Sequence, residues 1–345
     1  MDNLVIEKVI IPISECIPGM ILMQSIVDEH TGATIVGKGQ VLTEESIEKL
    51  SNFEHTQVWI TIQSEANIWK VDSKTIEKYK AYAKMLRAIL EDAGDQSLLS
   101  INKLIDLTNG IVKEFNDDYH LLACVNLVNK FEKDTYEHSI NVAFIALMMG
   151  RWAEYDGAQL KDLVLSALLH DVGKLSLSPH ICKKDKQDMN LMEKIEYRRH
   201  PVYGYERLAS YNELSVAALK GVLSHHERCD GSGYPLSLRE NKINSIAKII
   251  GIADTYDHLK NRYHVFEVAR RLGNTMMRKF DVNLLFQFCN NMINYYVGCS
   301  VLLNTGEIGE VAFIQPQTWG RPIIKVQGAY INLYEKTHLE IIKVI

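Results

Sequence analysis

A chain of 345 residues with 47% hydrophobic and 23% charged side chains has room for more than one domain and a substantial buried core. A net charge of -5 and a pI near 6.2 exclude the global basic footprint of a nonspecific nucleic-acid binder, so no nucleic-acid polymer is expected as a partner. The dispersed cysteines (Cys16, Cys124, Cys182, Cys229, Cys289, Cys299) include no CxxC pair, which excludes a zinc ribbon or disulfide framework and fits a reducing compartment. Met1-Asp2-Asn3 opens no basic region leading into an apolar core. No apolar run nears the roughly 18 residues of a membrane helix, so the chain reads as soluble and cytoplasmic, without a membrane span.

Residues 1–65 alternate short β-rich runs (Leu4 to Ile13, Met20 to Val27, Thr34 to Val36, Val58 to Ile62) with turn signals such as Pro18-Gly19 and Thr31-Gly32. The pattern predicts a small mixed β module with one helix, opened by Thr43 as N-cap and carrying Ile47 and Leu50 on one face. Residues 66–130 turn helical, with Ile76, Tyr79, Tyr82, Leu86, Ile89 and Leu90 at helical spacing. This linker packs on its own domain or pairs with a second copy as a homodimer; the pattern serves both, and its tyrosines read as packing residues. Residues 131–295 carry successive helical patterns and every candidate ligand. Residues 296–345 return to short strands, Ser300 to Leu303, Gly309 to Ile314, Pro322 to Val326 and Ile341 to Ile345, a small β tail. The expected class is therefore mainly α, with a small mixed β N-terminal module and a short β C-terminal subdomain.

The chemistry concentrates in His138, His170-Asp171, His200, His225-His226 and Asp254. Burying an imidazole or carboxylate is costly unless something satisfies it, and a metal centre satisfies all of these together. The apolar run Leu163 to Leu169 delivers His170 and Asp171 at a helix end, with Gly173 as a stop and Lys174 beyond it. Val216 to Ser224 delivers His225 and His226 in the same way, and two adjacent ligands imply a loosened last turn. His138 lies on a helix from about Thr135 to Trp152, sharing a face with Asn141, Val142 and Ile145. Asp134, one turn earlier, is a ligand or an N-cap. His200 falls at the end of the pattern Leu191 to Arg199, and Asp254 lies in the apolar helix Ile243 to Leu259. Asp257 reads as a solvated or capping residue. The nitrogen and oxygen donors suit iron, manganese, zinc or nickel. There are more donors than one ion takes, so two ions sharing Asp171 are expected, with positions left for water and substrate. Lys174 follows close enough on His170-Asp171 to act with them.

In order, His138, His170-Asp171-Val172-Gly173-Lys174, His200-Pro201 with Gly204-Tyr205, His225-His226-Glu227-Arg228, Asp230-Gly231-Ser232-Gly233-Tyr234-Pro235 and Ala253-Asp254 resemble the HD-GYP family of metal-dependent cyclic dinucleotide phosphodiesterases. The likeness spans about residues 130 to 295; the N-terminal module, including Ile17-Pro18-Gly19-Met20, and the β tail also resemble segments that accompany such domains. The resemblance implies an all-helical HD-type domain holding two divalent ions, commonly iron or manganese. It also implies hydrolysis of cyclic di-GMP to linear pGpG or GMP in bacterial signalling. Carried over, one ion takes His138, His170, Asp171 and Asp254; the other takes Asp171, His200, His225 and His226. Asp134 occupies the position of the acidic residue that leaves a third ion open, where family members more often have Glu. Asp171 and Lys174 are the implied catalytic pair.

The loop Gly231, Gly233, Tyr234, Pro235 touches substrate, docks a partner such as a GGDEF-domain protein, or braces His225-His226, with bracing the default reading. Two segments depart from the family. His258 to His264 stands where an Arg-Pro-Tyr-Arg-like run is usual, leaving Arg262 toward substrate, and Lys183-Lys184-Asp185-Lys186 replaces a Lys-Pro-Gly-Lys-like loop, leaving Lys184. Two alternatives therefore stand beside the cyclic di-GMP phosphodiesterase: a catalytically weak metal-bearing sensor or docking module, and an HD phosphohydrolase acting on another cyclic dinucleotide.

Overall fold

The computed structural model describes residues 5–13, 16, 20–28, 31–51, 57–64, 71–93, 98–127, 135–316 and 318–345. Asp134, Ile17, Pro18 and Gly19 lie outside them. Contacts divide the chain into one compact unit built from residues 1–68 with 296–345, and a second from residues 69–295.

In the first unit, β1 (Val5–Pro12), β2 (Ile21–Leu22), β3 (Ile26–Val27), β4 (Thr34–Val36), α1 (Glu44–Ser51) and β5 (Gln57–Ser64) follow in order. β5 is the centre of an antiparallel sheet ordered β1-β5-β2, and β3 pairs with β4. Thr43 caps α1 as expected: its hydroxyl accepts from the Ser46 N–H at 3.2 Å while the Ser46 hydroxyl accepts from the Thr43 N–H at 2.7 Å.

The helical unit comprises α2 (Ser73–Asp92), α3 (Ile101–Glu114), α4 (Asp118–Leu127), α5 (Thr135–Trp152), α6 (Gly157–Leu169), α7 (Pro179–Lys183), α8 (Leu191–Tyr197), α9 (His200–Leu208), α10 (Val216–Ser224), α11 (Ser245–Lys260), α12 (Val265–Asn274) and α13 (Val282–Asn294). Its core is the middle of α5, buried from Ile140 to Met149 and apolar there except for Asn141, packed on α6, α11 and α2. Burial on all sides fits the unbroken hydrophobic runs of α5 and α6. Tyr79 of α2 is fully buried, edge-on to Phe144 with centroids 5.5 Å apart, so this tyrosine is core. Its hydroxyl donates to Asn141 Oδ1 at 2.8 Å, satisfying half of the one buried amide of α5.

Returning to the first unit, β6 (Ser300–Leu303), β7 (Ile308–Phe313), β8 (Ile323–Val326), β9 (Ala329–Asn332) and β10 (Ile341–Val344) form one antiparallel sheet ordered β10-β6-β7-β8-β9. β9 is the strand the sequence pattern did not announce. It is joined to β8 by Gln327 and Gly328, at φ 47° and 87°, the left-handed pair of a two-residue hairpin turn. The two β-rich ends, read separately in the sequence, share one apolar cluster in which Leu302 and Ile345 pack with Leu22, Val36, Leu42, Leu50 and Val58.

Candidate metal centre

Helix ends deliver most of the donors. α6 is held at its start by Asp156, whose carboxylate accepts from the Ala158 and Gln159 N–H groups while Gln159 accepts from the Asp156 N–H. Its run Leu163–Leu169 is buried throughout, so the helix is anchored along its length and stops at His170. In α10 the Ser215 hydroxyl caps the Ala218 N–H, and the helix closes at Ser224, leaving His225 and His226 in the loosened turn the sequence required. His200 begins α9 with Pro201 in its first turn, rather than merely ending α8. The turn after Asp171 lies directly on that start: a Cβ on Gly173 would stand 1.9 Å from the His200 carbonyl oxygen, so only glycine fits.

The histidines are locked in one tautomer. His170, His200 and His225 each place Nδ1 2.7 Å from the carbonyl three residues earlier, of Ala167, Tyr197 and Val222. A carbonyl only accepts, so Nδ1 carries the proton and Nε2 carries the lone pair. His138 is oriented by a carboxylate instead, its Nδ1 donating to Asp257 Oδ2 at 2.7 Å. The buried Nε2 atoms of His138 and His170 then have no hydrogen-bond partner among the described residues.

Asp171 stands between two groups. Its Oδ1 is 3.3 Å from His200 Nε2 and 4.0 Å from His225 Nε2, while Oδ2 is 3.4 Å from His170 Nε2 and 3.9 Å from His138 Nε2. Asp254 also faces both ways, Oδ1 3.3 Å from His138 Nε2 and Oδ2 3.7 Å from His226 Nδ1. His200 Nε2 and His225 Nε2 approach to 3.3 Å. Two lone pairs at that separation repel unless a cation lies between them, and ligands about 2.1 Å from one ion are roughly 3.0 to 3.4 Å apart. Donor atoms of Asp171, His200, His225 and His226, and of His138, His170 and Asp171, each fall within 4.8 Å of one another. The orphaned nitrogens, the paired lone pairs and the two-faced carboxylate all fit divalent ions.

Protonation at four of the donors agrees with that fit. Burial works against the charge of Asp171, yet Lys174 and His170 hold its carboxyl well below the usual range; His258 and His138 do the same for buried Asp254. Burial, reinforced by His170 and His200, pushes His225 well below its ordinary value, and burial with His225 does so for His226. Anionic carboxylates and neutral imidazoles are the ligand forms. His138 goes the other way: burial lowers it, but Asp254 and Asp257 outweigh burial and bring it to about 10, so a cation taking Nε2 would displace the proton there.

Every expected donor in the described residues, His138, His170, Asp171, His200, His225, His226 and Asp254, comes to this cluster. Lys174 is half-buried against Asp171 Oδ2, with its ammonium 5.5 Å over the Tyr197 ring. Lys184 is engaged elsewhere: its ammonium lies 2.8 and 3.0 Å from the Glu193 carboxylate, which itself caps α8 through the Asn190 N–H. Arg262 sits in the exposed turn after α11.

The Gly231 to Pro235 loop packs on the His225-His226 turn. A Cβ on Gly233 would meet Arg228 N at 2.4 Å and His226 O at 2.5 Å, so the two backbones touch. The Tyr234 ring lies 4.6 Å from that of His226, and the buried Glu227 carboxylate accepts from the Leu236 and Leu238 N–H groups at 2.6 and 2.8 Å.

One expectation is corrected. Asp257 is neither solvated nor a cap: it is 2% exposed, binds His138, and has Oδ1 3.1 Å from Lys260 Nζ. Its spacing of three from Asp254 on an apolar helix was the available signal, since both carboxylates share a buried face. The bracing role of Glu227, named in the motif, and the place of Tyr197 were not legible, because they depend on a loop and a neighbouring helix rather than on spacing.

Buried imidazoles and carboxylates presented at helix ends define a helical, metal-binding domain of the HD type. Residues 123–277 match the HD domain family. The chain is 30% identical over 212 residues to a cyclic di-GMP phosphodiesterase of Pseudomonas aeruginosa, covering 60% of this chain and 50% of that protein. It is 35% identical over 142 residues to 3′3′-cGAMP-specific phosphodiesterase 2 of Vibrio cholerae, covering 39% of this chain and 26% of that protein. An HDG"Y"P protein from Bdellovibrio bacteriovorus shares the fold, with a TM-score of 0.55 and 17% identity over 84% of this chain and all of that one. Over this region the chain is similar to HD-GYP proteins. It spans about half the length of the first curated relatives it matches. Among the described residues, no helix is long and apolar enough to cross a membrane.

Proposed function

We propose that this chain hydrolyses cyclic di-GMP to pGpG or GMP. The observation that carries the reading is the two-faced Asp171 between two groups of imidazole nitrogens, together with relatives named for that reaction. His138, His170, Asp171 and Asp254 would hold one divalent ion and Asp171, His200, His225 and His226 a second, iron or manganese by the donor chemistry. Asp134 is the candidate for a third. Ions bound there supply Lewis-acid polarisation of a phosphoryl oxygen and activation of water.

The protein's own contribution is orientation and charge. Backbone carbonyls and Asp257 fix the imidazole tautomers, so no reorganisation is needed during reaction. Lys174, whose charge Asp171 stabilises against burial, presents its ammonium at the same carboxylate and can neutralise a phosphate oxygen there. Lys174 and Lys186 flank the Tyr197 ring at 5.5 and 5.1 Å, and Arg198 lies 5.5 Å over Tyr234. These cations beside two aromatic rings, rather than Lys184, are the groups we assign to an anionic substrate with stacking bases.

The test is anaerobic protein reconstituted with Fe(II) or Mn(II) and incubated with cyclic di-GMP, with an Asp171→Asn control. Metal-dependent cleavage absent from the control is expected; no cleavage would reject the activity. A 3′3′-cGAMP arm is warranted by the Vibrio cholerae relative, and preferential cleavage there would replace the substrate while keeping the reaction. Binding without cleavage of either would support the sensor reading.

A further inference from the structure

The carried-over ligand set leaves out His258. It sits on α11 one turn after Asp254, so helical spacing puts both on one face toward His138 of α5. His258 Nδ1 is 3.0 Å from Asp254 Oδ1, and that same oxygen is 3.3 Å from His138 Nε2. Both separations match the roughly 3.0 to 3.4 Å between adjacent ligands of one ion. The His138 and His258 rings stand edge to face with centroids 4.8 Å apart. His138, Asp254 and His258 form a third group of donor atoms within 4.8 Å of one another. Both this group and the inner His138, His170, Asp171 group include His138, whose buried Nε2 lies 3.3 Å from Asp254 Oδ1 and 3.9 Å from Asp171 Oδ2. One imidazole lone pair binds one cation, so the two groups are opposite sides of a single coordination sphere.

We infer that His258 is an additional ligand of the ion held by His138, His170, Asp171 and Asp254, supplying the donor on its solvent side. The inference rests on the metal-centre reading given above. The His258 side chain is 50% exposed, whereas that of His170 is 1% exposed, so this donor marks the open edge of the site. In the structure Nδ1 also lies 2.9 Å from the Asp254 carbonyl oxygen. Ligation through Nδ1 removes the proton from that bond and transfers it to Nε2 or to solvent, which the exposed ring edge permits. An ordinary hydrogen bond from His258 to Asp254 is the competing account, and it predicts no metal–nitrogen coupling from this ring.

Metal-free wild type, His258→Ala and His258→Gln are each reconstituted with Mn(II), with His180→Ala as a control at an exposed ring bonded to Glu193. Electron spin-echo modulation counts imidazole nitrogens on the bound Mn(II), and elemental analysis after desalting counts ions per chain. Both His258 variants should lose one coupled nitrogen, and one ion should bind about tenfold or more weakly, while His180→Ala matches wild type. An unchanged nitrogen count in both His258 variants would overturn the inference and leave His258 as a hydrogen-bonding partner of Asp254. A wild type that binds no Mn(II) would instead remove the metal-centre reading, and the inference with it; the two failures are distinguished because no form would then show nitrogen modulation.

Discussion

The donor cluster and the basic segments beside it are held by different forces. In the cluster the imidazoles of His170, His200 and His225 are each tied through Nδ1 at 2.7 Å to the carbonyl three residues earlier and fully buried, so their direction is set by backbone geometry. The basic residues beside the cluster are long chains placed by ring contacts and ion pairs, as with exposed Lys186 over Tyr197 and half-buried Lys184 against Glu193. Metal affinity should therefore respond steeply to small changes in the cluster, and substrate affinity only gradually to changes at the rim.

The largest effect should come from Asp171→Ala. It removes the carboxylate between the two donor groups and strands the half-buried Lys174 ammonium. Metal content should collapse and cleavage fall by at least about 10³-fold, beyond the 10- to 100-fold usual for an outer partner; retention of both ions by elemental analysis would break the contrast. Gly173→Ala should come next, because the new Cβ meets the His200 carbonyl at 1.9 Å and backbone cannot yield cheaply. A loss of about 3 kcal/mol in urea unfolding is expected, and a change within about 0.5 kcal/mol would show that the α9 start is not so constrained.

Asp257→Asn keeps the shape but weakens the hold on His138, so the affinity of one ion should drop about 10- to 100-fold with the circular dichroism spectrum unchanged. Acid should act on the cluster through His225 and His226. Their folded values lie well below the ordinary 6.5, so stability is fully present above pH 6.5 and is lost as the pH falls below it. For metal-free protein the loss is at most about 1.4 kcal/mol per pH unit for each ring, readable from denaturation midpoints; a flat profile between pH 6.5 and 5 would contradict the buried neutral pair.

The smallest effects belong to the rim. Lys186→Ala and Arg198→Ala should each raise KM about three- to tenfold with kcat nearly unchanged, a loss of about 0.7 to 1.4 kcal/mol. Lys184→Ala should leave KM within about twofold and cost under about 1 kcal/mol of stability through its Glu193 pair. A larger KM effect at Lys184 than at Lys186 would reverse the assignment.

The same difference decides what the sequence could reveal. Doublets such as His170-Asp171 and His225-His226 after apolar runs are legible because a helix end turns chain order into spatial direction, and α5 came out at the bounds its pattern predicts. Lys184 and Arg262 were chosen by charge and position alone. The Lys184 partner, Glu193, is nine residues away across two short helices, beyond any local periodicity. Asp257 and His258 were within reach, since both share the α11 face with Asp254. The joining of the two β-rich ends into one apolar cluster was not legible, because nothing local links Leu50 to Leu302.

The account turns on Asp171 lying between two ions. Anomalous scattering from crystals grown with Mn(II) tests this directly. Two peaks are predicted, one beside Asp171 Oδ1 with His200, His225 and His226, the other beside Oδ2 with His138 and His170. A single peak, or two peaks on the same side of Asp171, would contradict it.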